Sequence, residues 1–209
     1  AAASTAVAIS GGSITNTGHC VRFVGGLTSA SLDVSSTVWS SAGSALRVMA
    51  SDLDSVITMD SVSVKTTAAG SNGVYLASPN GGSLTITNSD FAAFNVGVVL
   101  HGMEGAAISI KGVTFTGGYG VLHETDPWNG GSISIADSNF HCSSRAIQFG
   151  TMSGGSITMS NNVIAMSAGY AMRFSSPVTG VAISVADHDH HDRGGGHLPG
   201  RRDERLPRN

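Results

Sequence analysis

Apolar residues recur along the chain in short alternating pairs that return at a nearly constant interval. The first apolar residue of each pair lies 24 to 27 residues after its predecessor, and the second follows two positions later. The first members are Val7, Leu32, Ile57, Leu84, Ile108, Ile133, Ile157 and Ile183. A period of two is typical of a half-buried strand and not of a helix. The chain is therefore predicted to repeat one strand-containing unit of about 25 residues.

Each unit carries two more apolar features after its first strand. A larger apolar side chain comes five residues after the first pair, in Ile14, Trp39, Val64, Phe91, Phe115, Phe140 and Ile164. A second alternating pair then predicts a last strand, in Val21/Phe23, Leu46/Val48, Val74/Leu76, Val98/Leu100, Ile147/Phe149 and Met172/Phe174. Three short strands per unit predict an all-β fold, a parallel β-helix of about seven coils over residues 1–186.

A column of small residues lies between the first strand and the large apolar residue. Its members are Gly11, Ser36, Ser61, Asn88, Gly112, Asp137 and Asn161. Glycine tolerates left-handed backbone, and short polar side chains can bond to their own turn. The column therefore predicts a stacked corner. Polar side chains repeated every ~4.8 Å could also form hydrogen bonds along the stack.

The pattern stops after residue 186. Residues 187–209 hold five arginines, five acidic residues and four of the eight histidines. This composition does not suit an apolar coil, and the segment is predicted to be disordered. His188, His190 and His191 are weak candidates for capturing a metal ion; otherwise they belong to a solvated tail. No resident metal or cofactor is predicted.

Composition narrows the range of partners. The chain has 31 serines and 16 threonines against two lysines, and its formal net charge is -3. That balance gives little attraction for nucleic acid, which is not an expected partner. No run reaches the ~18 uncharged apolar residues of a membrane-spanning helix. Because residue 1 is not Met and strand pattern begins at once, the chain is expected to be part of a longer protein.

The fifth coil departs from the repeat. It lacks one residue, which places His123 in the apolar column of the last strand, and it continues with Glu124, Asp126 and Trp128. His101 and Glu104 are predicted one coil away. Paired carboxylates beside a histidine and an aromatic ring suit glycoside chemistry or sugar binding. The alternative is an ordinary turn with solvated side chains, in which the missing residue rotates His123 outward.

The rhythm of SLTITNSDF through GVVL, with Asn or Gly at the corner, resembles right-handed parallel β-helix proteins of the pectate-lyase-like superfamily over residues 6 to about 186. The Ser/Thr/Gly-rich coils, and endings such as AMRFSSPVTG, are similar to the trypanosomatid dispersed gene family of surface proteins. The first resemblance implies a right-handed coil. The second implies a long cell-surface protein with a role in adhesion and no catalytic residues to carry over.

Two functions follow as expectations. The first is a non-catalytic segment of an extended surface or secreted scaffold, whose partners would be a glycan, a host or cell-surface protein, or further coils of its own chain. The second is a polysaccharide-binding or polysaccharide-cleaving β-helix centred on His123, Glu124, Asp126 and Trp128. The coils lack the Asn-Thr-Asp, Asp-Asp, Gly-His-Gly and Arg-Ile-Lys elements of polygalacturonase-like enzymes, which favours the scaffold.

Overall fold

The chain forms a β-solenoid of about seven coils built from parallel strands. The computed structural model describes residues 5–25, 27–49, 52–124, 126–186 and 189–192, with backbone alone for 52, 53 and 189–192. Strands are numbered in chain order. No helix occurs among the described residues. The predicted all-β solenoid is thus confirmed.

The first sheet contains one strand from each coil. It runs through β1 (Ala6–Ser10), β4 (Ser31–Ser35), β8 (Val56–Asp60), β12 (Ser83–Thr87), β15 (Ala107–Lys111), β18 (Ser132–Ala136), β21 (Ser156–Ser160) and β25 (Ala182–Ala186). Its register places Leu84 beside Ile108, Ile108 beside Ile133, and Ile133 beside Ile157. The apolar residues that recur in the sequence are therefore vertical neighbours.

The second sheet contains the middle and last strands of the coils. Its main path is β2 (Ser13–Asn16), β5 (Val38–Ser41), β9 (Ser63–Thr66), β13 (Asp90–His101), β16 (Thr114–His123), β19 (Asn139–Phe149), β22 (Val163–Met166) and β26 (Asp189–Asp192). The separate last strands are β3 (Val21–Phe23), β6 (Leu46–Val48), β10 (Asn72–Ala77) and β23 (Tyr170–Phe174). In β13, β16 and β19 the middle and last strands predicted from the sequence run together as one.

Two-residue strands from six coils form a third sheet. It runs through β7 (Asp52–Leu53), β11 (Pro79–Asn80), β14 (Met103–Glu104), β17 (Trp128–Asn129), β20 (Met152–Ser153) and β24 (Val178–Thr179). The sequence analysis did not predict these strands. In β11, β14, β17 and β20 the first side chain is buried against the core and the second is exposed.

The predicted corner column has left-handed backbone at all of its seven positions. The φ angles lie between 49° and 68° at Gly11, Ser36, Ser61, Asn88, Gly112, Asp137 and Asn161. One pair of successive column members is joined by a side-chain hydrogen bond, in which Asn161 Nδ2 donates to Asp137 Oδ1 over 3.2 Å. The small polar residues of the repeat are therefore selected by backbone geometry.

The core is a stack of apolar side chains enclosed by the three sheets. Phe91, Phe115 and Phe140 are fully buried, and their ring centroids are 5.6 Å and 5.0 Å apart in succession. Gly73, Gly97 and Gly120 of the last strands, which we term the glycine column, face these rings. A Cβ added at Gly120 would lie 2.5 Å from Cδ1 of Phe140 and 2.6 Å from the carbonyl oxygen of Ala146. The phenylalanine column therefore needs the glycine column beside it.

The solenoid backbone continues slightly past the boundary predicted at residue 186. Residues 189–192 form β26, which pairs in parallel with β22, so that His190 lies opposite Ile164. Backbone pairing in the strand ladder does not depend on an apolar side chain, which explains why the polar sequence continues it. Residues 187, 188 and 193–209 of the tail predicted to be disordered lie outside the described residues.

Candidate functional site

Among the described residues, ionisable side chains gather around His101 at the end of β13. Its Nε2 lies 2.6 Å from Oε2 of Glu124, and its Nδ1 lies 3.3 Å from Oδ2 of Asp126. Leu100 pairs with His123 in the strand ladder, so these acids follow the neighbouring rung. His101, Glu124 and Asp126 therefore come together across one coil boundary. Both carboxylates therefore contact the same imidazole.

Two side chains extend this cluster along the solenoid axis. The Tyr75 ring lies 4.9 Å from the His101 ring, centroid to centroid, and the Arg47 guanidinium lies 4.8 Å from the centre of the Tyr75 ring. The second distance is within cation–π range. Burial raises the pKa of the Tyr75 hydroxyl, and the charge of Arg47 opposes that rise. Contacts therefore connect the side chains of four successive coils.

An open groove of about 270 Å³ runs beside the cluster on the third sheet. It is lined by Ser78, Pro79, Asn80, Gly102, Met103, Glu104, Asp126, Pro127 and Asn129. Asn80 Nδ2 donates to Oε2 of Glu104 over 3.3 Å. Asp126 belongs to both the groove and the His101 cluster. The groove therefore offers amides, a hydroxyl and carboxylates, which are hydrogen-bonding groups suited to sugar hydroxyls.

Three residues that line the groove, Asn80, Glu104 and Asn129, belong to a longer row of exposed polar side chains, which we term the polar ladder. Its members follow one another in strand register on successive coils: Asn80, Glu104, Asn129, Ser153 and Thr179. Neighbouring strands are ~4.8 Å apart, so the five side chains span roughly 19 Å along the axis. A row of hydrogen-bonding groups of this length suits an extended ligand.

His123 lies in the core and not in the groove. The side chain is fully buried and its Nδ1 accepts the Gly150 N–H over 3.2 Å. Burial lowers the pKa of His123 to about 4. The outward rotation of His123 considered from the sequence is therefore wrong, because the Gly150 bond and the surrounding core hold the ring inside. A neutral imidazole enclosed in this way does not reach a ligand in the groove.

Trp128 is also fully buried, which corrects the expectation of an aromatic platform for sugars. Its ring packs edge-on against His123 at 5.8 Å and lies 6.2 Å from the Phe149 ring, centroid to centroid. Trp128 pairs in register with Met103 and Met152, which are the core-facing residues of the neighbouring two-residue strands. Its place in that apolar column directs the indole inward.

The enclosed His123 predicts a loss of stability in acid that the substitution His123→Leu reduces. An unfolded chain takes up this proton near pH 6.5, whereas the folded chain does so only near pH 4. The unfolded state therefore binds more protons than the folded state between these two pH values. As the pH is lowered from 7 to 4, this difference reduces the free energy of unfolding of the wild type by about 3 kcal/mol. Urea unfolding at pH 7 and pH 4 measures the loss. His141→Leu, at an exposed histidine, is the control, and an equal loss in all three proteins would contradict the assignment.

Sequence reasoning missed Arg47, Tyr75, Asn80 and Asn129. Arg47 and Tyr75 stand between the two apolar residues of a last strand, so the strand alternation places them outward. Asn80 and Asn129 were marked by a different signal in the sequence. The segments PNGGS at 79–83 and WNGGS at 128–132 occupy equivalent places two coils apart, which marks a recurring polar position before a glycine turn.

The remaining candidate residues give no further site. Among the described residues, no group of three or more His, Cys, Asp or Glu side chains could hold a metal ion. His188 lies outside the described residues, as do the side chains of His190 and His191. Cys20 and Cys142 are both free thiols, and burial raises the pKa of Cys142 to about 12. No helix in the described ranges is long and apolar enough to cross a membrane.

Comparison with known proteins identifies no relative. No family model matches the chain, and no match was found among curated proteins or solved structures. The family resemblances drawn from the sequence therefore have no independent support, whereas the solenoid architecture stands on the strand register alone.

Proposed function

We propose that this chain is a non-catalytic segment of an extended secreted or cell-surface scaffold, and that its polar ladder binds a glycan. The observation that carries the proposal is the ladder itself, five exposed polar side chains in strand register beside an open groove. Amide, hydroxyl and carboxylate groups at ~4.8 Å intervals can form hydrogen bonds with successive sugar units of an extended chain.

The arrangement of the ionisable groups favours binding over catalysis. Glu124 and Asp126 are both held by His101, and His123 is enclosed in the core. A general acid or base must reach the substrate within hydrogen-bond distance. His123 does not meet this requirement, and one oxygen of each carboxylate is already engaged with His101.

The scaffold part of the proposal rests on the stacked coils and the exposed last rung. Ile183 and Val185 of β25 are 45% and 51% exposed, which offers an apolar surface for a further coil of the parent chain. We also propose that the chain is related to the pectate-lyase-like superfamily and to the dispersed gene family of surface proteins. The coil length and the left-handed corner support this relationship. The stacked coils of a scaffold also suit a second class of partner, a host or cell-surface protein.

A glycan array tests the binding function with the wild type and the double variant Asn80→Ala/Asn129→Ala. Each lost hydrogen bond costs about 1 kcal/mol, so the double variant should bind its best glycan at least about ten-fold more weakly. Asn139→Ala is the matched control, since it removes an exposed amide from a strand outside the groove. Failure of the wild type to bind any glycan, or equal binding by all three proteins, would contradict the proposal.

One observation favours glycan cleavage as a second candidate: Glu104 and Asp126 line the same groove. Paired carboxylates are the usual groups of glycoside hydrolysis. Release of reducing ends from a glycan bound by the wild type, lost in Glu104→Gln and Asp126→Asn while binding persists, would establish cleavage. Binding without any product from the wild type would instead support the scaffold.

A further inference from the structure

Every arginine and every tyrosine of the described coils lies on the last strand of its coil. The arginines are Arg22, Arg47, Arg145 and Arg173, and the tyrosines are Tyr75, Tyr119 and Tyr170. In the described part of the chain, no carboxylate forms an ion pair with any of these guanidinium groups. Within the described coils, the guanidinium groups are thus confined to one strand position and have no carboxylate partner.

Four of these side chains, together with Gln148, lie on adjacent rungs over coils five to seven, and we term the five the arginine–tyrosine patch. Its members are Tyr119, Arg145, Gln148, Tyr170 and Arg173. Arg145 Nη1 donates to the Tyr119 hydroxyl over 3.2 Å and to the Gln148 side-chain oxygen. The Arg145 guanidinium lies 5.4 Å from the centre of the Tyr119 ring, and that of Arg173 lies 5.8 Å from the Tyr170 ring.

The contacts of the patch leave donors available to a ligand. The Tyr119 oxygen accepts from Arg145, so its own O–H remains free to donate. A guanidinium has five N–H groups, and Arg145 directs only one nitrogen at its two recorded partners. Gln148 pairs with Arg173 in strand register, which brings the second guanidinium onto the adjacent rung. Tyr170 is 59% exposed and offers a ring face beside them.

We propose that the arginine–tyrosine patch binds a sulfated sugar. Donors on adjacent rungs and on a tyrosine hydroxyl approach from more than one plane, which suits the three terminal oxygens of a sulfate ester better than a planar carboxylate. Arginine provides charge-assisted hydrogen bonds to such an oxyanion, and the exposed ring of Tyr170 can pack on the apolar face of the sugar. Two guanidinium groups are too few for nucleic acid, whose binding neutralises many phosphates.

This inference extends the proposed function, since it also takes a glycan as ligand, but it uses a different surface. The patch lies on β16, β19 and β23 of the second sheet, whereas the polar ladder lies on the third sheet. The two surfaces therefore predict separate effects of mutation. A mutation that abolishes binding at the patch should leave binding at the polar ladder unchanged. A mutation that abolishes binding at the ladder should leave binding at the patch unchanged.

The experiment compares three polymers that share one backbone: dextran sulfate, carboxymethyl dextran of equal charge density, and uncharged dextran. Binding by calorimetry should be strongest for dextran sulfate. Arg145→Gln/Arg173→Gln should weaken it at least about ten-fold, because two charge-assisted contacts are lost. Lys65→Gln/Lys111→Gln removes the same net charge elsewhere on the surface and should change binding less than about two-fold. Arg145→Lys/Arg173→Lys keeps the charge without the planar fork and should also weaken binding.

Several outcomes would overturn the inference. They are equal binding of the sulfated and carboxymethylated polymers, equal loss in the arginine and lysine double variants, and tighter binding of single-stranded poly(dT) than of dextran sulfate. Thermal unfolding of each variant verifies the fold. Tyr170→Ala provides a second variant of the patch, which removes an exposed ring and leaves the charges in place. Asn80→Ala/Asn129→Ala should retain dextran sulfate binding, so a failure of the ladder and a failure of the patch are distinguishable.

Discussion

Phe115→Ala is expected to lower the free energy of unfolding by about 3–5 kcal/mol, the largest effect of any single substitution considered for this fold. Phe115 is the middle ring of the buried stack, in contact with Phe91 on one rung and Phe140 on the next. Its removal opens a cavity between two coils whose strands are held in register by backbone hydrogen bonds, so the walls can collapse only partly. Urea unfolding followed by circular dichroism measures the loss.

The control for this substitution is the same change at a phenylalanine outside the core. Phe94 is 58% exposed, and Phe94→Ala should alter the unfolding free energy by no more than about 0.5 kcal/mol. Comparable losses at the two positions would show that the ring stack does not stabilise the coils.

Gly120→Ala is the second substitution expected to destabilise strongly, by about 3 kcal/mol. The added methyl group would lie 2.5 Å from the Phe140 ring and 2.6 Å from the Ala146 carbonyl oxygen. The ring can move only against the stack, and the carbonyl belongs to a paired strand. The expected change is a lower midpoint of urea unfolding with little change in its slope.

Gly18→Ala separates this crowding from the general effect of replacing glycine. A Cβ at Gly18 would meet nothing closer than Asn16 Oδ1 at 3.9 Å, and its backbone is not left-handed. This variant should therefore be as stable as the wild type or slightly more so. If Gly120→Ala proved equally harmless, the close packing of glycine and phenylalanine columns would be refuted.

The fold was predictable because it repeats. Alternating pairs such as Leu84 and Ile86 recur in every coil, and eight copies of a weak signal establish both the strand period and the vertical alignment. The corner was predictable for the same reason, since only a few residue types tolerate its left-handed backbone. The third sheet was not, because a strand of two residues such as Met152–Ser153 is too short to show a period.

The site was predictable only in part. Counting along the repeat correctly placed His101 close to Glu124 and Asp126, which lie one coil further on. The direction of Trp128 was not predictable, since it depends on the two-residue strand that pairs it with Met103 and Met152. Side-chain direction in a short strand is decided by the neighbouring coils, which no local pattern in the sequence records.

Disulfide cross-linking between coils tests the central claim most directly, in a chain carrying Cys20→Ser and Cys142→Ala. Thr85 and Ser109 are register partners in the first sheet, and parallel neighbours ~4.8 Å apart lie within the Cα range of a disulfide. Thr85→Cys/Ser109→Cys should therefore oxidise almost completely to an intramolecular bond. Thr85→Cys/Ser134→Cys, two rungs apart at roughly 10 Å, should not. Equal cross-linking of the two pairs, or none in the first, would contradict the stacked solenoid.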